Sequence, residues 1–351
     1  MSELKILGMS NRMSGCHYHR VTLPLGFMDN IEGLVTDAPN KEIIYQDNYN
    51  LLLFNRGCHF QDDWDYLKGK VGIVMDIDDD WNIPANHYMY ETYQKALEVI
   101  VKNLRYADIV TTTNERLADK IYQYNQNVHV LPNALPYGQD QFTDEKEIDE
   151  DGKLRIFWAG GISHEFDLQI LKYPLQRLHS YKDKIKMVMA GYAQNNEFTA
   201  NTWERMYSSF TDGEKLPGVR MEGLAPRLYM NLYKYGDIML VPLESSDWHS
   251  CKSNIKLLEA GCKGIPCIVS NVEPYSRDID APVLWVNNQS DWFKHLKLLI
   301  NDKDARDEYG QKLKAWATEK YNLAEINKKR RELFCGVVRN IQQVQSDVPS
   351  I

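Results

Sequence analysis

Apolar positions along this chain fall into short runs, separated by stretches in which they recur at helical spacing. In the first half, Leu4–Met9, Leu51–Phe54, Val71–Met75, Ala107–Thr112 and Val128–Leu131 read as buried strands, with Ile43-Ile44 as a further short candidate. Between them, the Val21 to Phe27 region reads as the start of a helix interrupted by Pro24. Ala96, Leu97, Ile100, Val101 and Leu104 mark a helix over 88–106, and Asn114 caps another that runs to Tyr124. The second half restarts the alternation. Strands are expected at 154–159, 186–191, 219–223, 237–243, 267–269 and 283–286. Helices are expected after His164 through Leu178, over 228–235, from Ser253 to Cys262, within 290–320 and over 323–345.

Strand, helix, strand in sequence order means a parallel sheet with helices on its faces. Residues 138–153 are acidic and lack apolar periodicity, which is the composition of a linker. The expected fold class is therefore α/β, with two Rossmann-like domains facing across a cleft. The first spans 1–140 and the second 141–325. A C-terminal helix, 326–351, can fold back on the first domain. A cleft between two such domains is the default active site.

Composition narrows the function. The chain has 351 residues, enough for two domains, and 43% hydrophobic residues, enough for real cores. It carries 41 basic against 49 acidic residues, a net charge of −8. That balance does not favour nonspecific attraction to nucleic acid or acidic membranes. No apolar run approaches membrane-spanning length, and the first twenty residues lack the apolar core of a signal peptide. Six cysteines, none in a CxxC pair, read as free thiols in a reducing compartment, so the expected location is cytoplasmic.

Candidate chemistry gathers in three places. In Asp247–Tyr275, Lys252, Lys256 and Glu259 are spaced i, i+4, i+7 and would share one helical face. A helix start with Lys252 beside it suits an anion, and Glu259 two turns on can accept hydrogen bonds from sugar hydroxyls. Lys256 by itself reads as a solvated face. The second place is Asp76-Ile77-Asp78-Asp79-Asp80, which crowds four carboxylates at a strand end. The crowding needs cations or donors to compensate it. It reads as a site for acceptor hydroxyls or a general base (Asp78, Asp79), as a divalent metal site, or as helix capping with solvated acid. Nearby, His17 and His19 would share a face on a strand, but no further metal-spaced ligands follow. Arg20 could face a phosphate or form a surface ion pair. The third place is Gly160-Gly161 at a strand end, which lets a ligand approach the backbone. His164 follows as phosphate donor, catalytic group or cap.

Four stretches carry a resemblance to a known family: Tyr106-Ala107-Asp108 through Thr113 with Val130-Leu131-Pro132-Asn133-Ala134; Ile156 through Gly161; Tyr235-Gly236-Asp237 through Leu243; and Lys252 through Glu259 with Gly264-Ile265-Pro266, Ser270 and Pro274-Tyr275. Together they resemble glycosyltransferases of the GT-B type, nearest the family 4-like group (glycosyl transferases group 1). The resemblance implies a UDP- or GDP-linked sugar as donor substrate, no other cofactor, no metal, and retention of anomeric configuration. It implies that Gly160, Gly161, Lys252, Ser253, Asn254 and Glu259 hold the donor, and that His19, Asp78, Asp79 and His164 serve the chemistry. Glu259 matches the second glutamate of the family's E-x7-E motif, whereas the first position holds Cys251. The Arg and Lys often found after the glycine loop are missing, and Lys252 and Ser253 are expected to replace them. With retention, the departing phosphate accepts the acceptor's proton; with inversion, an Asp of the 76–80 run is the base. The acceptor stays open between saccharide, lipid-linked glycan, protein and modified DNA base. A sugar-nucleotide-binding module, or a GT-B epimerase or phosphorylase, is the competing reading.

Overall fold

The computed structural model describes residues 4–11, 13–37, 49–58, 63–148, 151–193 and 199–346. The pair Ile43-Ile44 lies outside the described residues. The chain forms two compact units: Met1–Ala134 with Cys251–Ser253 and Leu323–Ile351, and Leu135–Ser250 with Asn254–Asn322.

The first unit is built on strands β1 (Leu4–Met9), β2 (Ile31–Thr36), β3 (Leu51–Asn55), β4 (Gly72–Ile77), β5 (Ile109–Thr112) and β6 (Val128–Val130). They form one six-stranded sheet in the order β2-β1-β3-β4-β5-β6, and every pairing is parallel. The strands read as continuous apolar runs because both faces are covered. Leu52 and Phe54 face a core with Ile73, Met75, Trp64 and Leu104. Their neighbours Leu51 and Leu53 face a second core with Leu4, Ile6, Val74 and Phe334. Phe334, Val337 and Val338 come from the long helix Leu323–Ser346, which belongs to this unit. Strand β2 carries no clear sequence signal. Glu32 and Gly33 interrupt its apolar residues, and as an edge strand it is mostly exposed or half-buried.

Helical backbone begins earlier than the sequence suggests. Ser14 Oγ accepts the His17 N–H at 3.3 Å, and an α-turn Gly15–His17 leads into a π-helical segment, Tyr18–Thr22, then Leu23–Gly26. Pro24 fits because it stands in the first turn of the last piece. His17 and His19 therefore lie on helical backbone, two residues apart, and do not share a face as they would on a strand.

The second unit holds β7 (Leu154–Ala159), β8 (Ile185–Tyr192), β9 (Gly218–Glu222), β10 (Ile238–Val241), β11 (Cys267–Ser270) and β12 (Leu284–Val286). The order is β12-β11-β10-β7-β8-β9, again all parallel. The chain goes outward from β7 on one side and then on the other, so the winding reverses between β7 and β10. Ligands of open α/β sheets bind at such a reversal, outside the carboxyl ends of the strands. The single helix expected through Leu178 is broken into short pieces, Glu165–Gln169, Lys172–Gln176 and a 3-10 turn Arg177–Tyr181. The acidic tract after 138 is anchored in this unit. Phe142 is buried, and the Gln141 amide donates to Pro226 O at 2.9 Å and accepts the Met230 N–H at 3.0 Å.

Candidate functional site

In the second unit, the site is built on the carboxyl end of β7. Its floor is backbone. A Cβ on Gly160 would stand 2.8 Å from the Trp158 ring and 3.2 Å from the His164 ring. Gly191, at φ +98°, presses so close that a Cβ there would lie 2.4 Å from Gly160 O. Only glycine meets both demands. Gly161, by contrast, borders open space. His164 is fixed from behind: its Nδ1 lies 2.6 Å from Oδ2 of Asp167, a buried carboxylate whose Oδ1 also accepts the Glu244 N–H at 2.8 Å. Burial works to raise the Asp167 pKa, but the His164 hydrogen bond and the groups around it bring it below the usual carboxylate value. Because an ionised carboxylate only accepts, Nδ1 carries the proton shared with Asp167.

The helix Ile255–Cys262 supplies the other side. It is held by small residues: a Cβ on Gly261 would meet Ala317 Cβ at 2.8 Å on the helix Lys303–Lys320. Lys256, in its first turn, reaches to the carbonyl of Ala159, the last residue of β7, and its ammonium lies 5.7 Å from the Trp158 ring centroid. The solvated face expected for Lys256 is thus a contact with the glycine turn. One turn on, Glu259 is only 6% exposed. The Tyr229 hydroxyl donates to its Oε1 at 2.8 Å, and the Tyr233 hydroxyl donates to Oε2. Burial raises the Glu259 pKa, opposed by Tyr233, by the Lys256 charge and by Tyr229. The Asn254 amide is committed elsewhere, donating to Asp278 Oδ2 at 2.6 Å.

The helix begins at Ile255, so Lys252 precedes it and cannot share its face with Lys256 and Glu259. Lys252 and Ser253 are assembled with the first unit. Cys251 is fully buried in that unit's core, and Asn114 Nδ2 donates to the Cys251 carbonyl at 2.8 Å. Ser253 Oγ accepts from Asn133 Nδ2 at 2.9 Å. Lys252 Nζ stands 3.6 Å from Asp79.

Every carboxylate of the 76–80 run has found a cation. Buried Asp76 takes both Nε and Nη2 of Arg20, at 2.9 and 2.8 Å, together with the Thr111 hydroxyl at 2.6 Å. Arg20 also donates to Leu131 O and Asn133 Oδ1, so it is a buried structural clamp and not a surface pair. Asp78 pairs with Arg56 Nη2 at 2.9 Å and accepts from Asn55 at 3.2 Å. Burial opposes its ionisation, yet Arg56 and its other partners hold its pKa well below the usual range. Asp79 lies 3.4 Å from Arg56, and Asp80 pairs with Lys120. Arg56 adopts φ +60° at the end of β3, an uncommon conformation for a side chain of its size. His19 sits beside this network. Burial lowers its pKa to about 4, so the ring is neutral at physiological pH.

Donor atoms of Cys16, Asp78 and Asp79 come within 4.8 Å of one another. The Arg56 guanidinium faces all three, and burial pushes the Cys16 thiol well above its ordinary value.

The sequence singles out Gly160, Gly161, His164 and Glu259, which the second unit brings to one sheet end. It misses Asp167, Arg56, Tyr229 and Tyr233. The local signals for them are the i, i+3 spacing of Asp167 from His164, the Arg56-Gly57 step after a strand and the i, i+4 spacing of the two tyrosines.

No family model and no curated protein matches the chain. Solved structures do match. Sucrose-phosphate synthase from Thermosynechococcus elongatus aligns at 11% identity and TM-score 0.64, over 86% of this chain and 76% of that one. HepE of Anabaena, in complex with UDP and glucose, aligns at 13% identity and TM-score 0.64, over 95% and 100% of the two chains. The α,α-trehalose-6-phosphate synthase of Burkholderia multivorans aligns at 11% identity and TM-score 0.58, over 86% and 73%. The fold is that of the GT-B glycosyltransferases, with two parallel α/β sheets. Among the described residues, no helix is long and apolar enough to cross a membrane.

Proposed function

We propose that this chain is a glycosyltransferase moving a sugar from a nucleoside diphosphate to an acceptor hydroxyl. The observation that carries the reading is Glu259: a buried carboxylate, aligned by two tyrosines, one helical turn from a cation at a glycine-floored strand end. A carboxylate so held suits the paired hydroxyls of a ribose. The turn suits phosphate at Gly161, whose backbone borders open space. Fold neighbours solved with UDP support a UDP-linked donor.

Loss of the nucleoside diphosphate places negative charge on phosphate oxygens. The Gly161 N–H and the start of the Ile255–Cys262 helix stabilise it, since the Gly160 N–H is given to Ala190 O. His164, braced by Asp167, stands beside that turn to donate to, or take a proton from, a group bound there. In the first unit, Asp79 is the most exposed carboxylate of its ion-paired cluster, with a 27% exposed side chain, and is our choice for contact with the acceptor. Lys252 and Ser253 join that acceptor side. Arg56 keeps Asp78 ionised and therefore a weak base, which favours retention, with the departing phosphate taking the proton. Asp78 and His19 then position the pocket and do not act as the base.

One observation favours the second reading, a nucleotide-sugar-binding module: Cys251, at the position of the missing motif glutamate, is sealed in a hydrophobic core. Turnover decides between them. Purified protein incubated with radiolabelled UDP- and GDP-sugars and a panel of acceptors is expected to release nucleoside diphosphate. Glu259→Gln is expected to weaken donor binding about 10-fold or more, as loss of charge-assisted hydrogen bonds does. Thermal stabilisation by UDP without any turnover would favour the binding module. No stabilisation and no turnover with any nucleotide would remove the reading.

A further inference from the structure

We infer that the first unit docks on the anionic headgroups of a membrane through a patch at the amino ends of its strands, formed by Lys68, Lys70, Lys102 and Arg105. Lys68 and Lys70 lie in the turn between the helix Trp64–Leu67 and β4. Lys102 and Arg105 lie in the last turns of the helix Tyr90–Tyr106, which leads into β5, the neighbour of β4. Each cation rests on a tyrosine. Lys70 Nζ lies 3.2 Å from the ring centroid of Tyr66, and Lys68 and Lys102 lie 5.5 and 6.0 Å from that of Tyr106. Arg105 lies 5.6 Å from the ring centroid of Tyr124, just before β6. Tyr106 therefore joins the two turns into one patch. All four cations are exposed, and so is Tyr66, at 52%.

The charge here is open to a partner. Other exposed lysines of the chain meet carboxylates, as Lys314 meets Asp144 and Lys320 meets Asp280. Among the described residues, no carboxylate forms an ion pair with the four cations of the patch. Asp65 and Asp108 border it and have donors of their own: Asp65 accepts the Tyr106 hydroxyl at 3.2 Å, and Asp108, on which the Lys68 charge acts, accepts the Ile73 N–H at 2.7 Å. The chain as a whole carries −8, so near an anionic surface its overall charge repels while this patch is drawn in, which orients the molecule. A sheet of phosphates suits the patch better than a nucleic-acid strand. Single strands bind by stacking bases on aromatic rings, and these rings already carry ammonium and guanidinium groups. Tyrosine rings and lysine stems suit the headgroup layer, where the apolar parts meet lipid and the charges meet phosphate. Asp79 stands beyond the opposite, carboxyl end of β4, outside the docked face.

The test sediments the whole chain with vesicles of phosphatidylcholine, with and without phosphatidylglycerol. Binding to the anionic vesicles alone, released by added salt, is the result expected. Lys68→Gln/Lys70→Gln is expected to weaken it about 10-fold or more, and Lys102→Gln/Arg105→Gln by as much. Lys312→Gln, exposed in the second unit, is expected to bind as the parent does. The substituted positions are exposed, so every variant is expected to keep the parent's midpoint in urea, which checks that it folds. A parent that binds anionic and neutral vesicles alike would overturn the inference, as would double variants that bind as the parent does. Tighter binding to a single-stranded oligonucleotide than to anionic vesicles, in the same buffer, would assign the patch to nucleic acid and overturn it too.

Discussion

Arg20 and Asp76 show how single residues hold the first unit's strand ends in place. Both are nearly inaccessible, and Arg20 spends four hydrogen bonds on Asp76, Leu131 and Asn133. Removing one partner of such a pair strands the other charge away from water. Arg20→Ala is expected to lower stability by about 3–5 kcal/mol in urea unfolding. A loss below about 1 kcal/mol would mean that water or a neighbour replaces the guanidinium. His19, next in the chain, gives a pH signature. Burial lowers its pKa from the ordinary 6.5 to about 4. The unfolded chain therefore binds a proton before the folded one does. Stability present above pH 6.5 is lost as the pH falls through that window, by roughly 3 kcal/mol at most. His19→Gln is expected to flatten that part of the pH–stability curve. Parallel curves for parent and variant would show that His19 titrates normally.

At the scale of elements, the close approach of β8 to the glycine turn decides whether the candidate site exists. Gly191 and Gly213 both have positive φ, at +98° and +66°. A Cβ at Gly191 meets Gly160 O at 2.4 Å, whereas one at Gly213 meets nothing within 4 Å. Gly213→Ala is expected to lower stability by about 1 kcal/mol, the backbone term alone. Gly191→Ala is expected to lose more than that, and nucleotide binding with it. Equal losses would show that dihedral strain, and not contact, governs Gly191. Strands β7 and β8, which carry Gly160 and Gly191 at their ends, are legible in the sequence because nearly all their residues are buried, so their apolar runs are almost unbroken. Strand β2 is not, because an edge strand needs no such run. The helix starts at Ile255, two residues later than the pattern suggests: Lys252 has helical spacing to Lys256, but the Cys251 and Lys252 carbonyls are bonded to Asn114 and the Ser253 hydroxyl to Asn133 instead. Those contacts span more than a hundred residues, and no local pattern announces them. Arg56 on Asp78 and Tyr233 on Glu259 join residues 22 and 26 apart and are equally unannounced, whereas Asp167 on His164 is a local i, i+3 pair.

For the whole molecule, two parallel sheets with reversed winding define the fold, and each places polar groups at the carboxyl ends of its strands. The net charge of −8 is spread over many ion pairs, and the second unit still keeps a cation at its glycine turn. The most direct check is a crystal structure of the full chain grown with UDP. The account predicts the diphosphate at the turn of Gly160 and Gly161, and the ribose hydroxyls on Glu259. UDP bound away from the end of β7, with Glu259 still closed on Tyr229 and Tyr233, would contradict it.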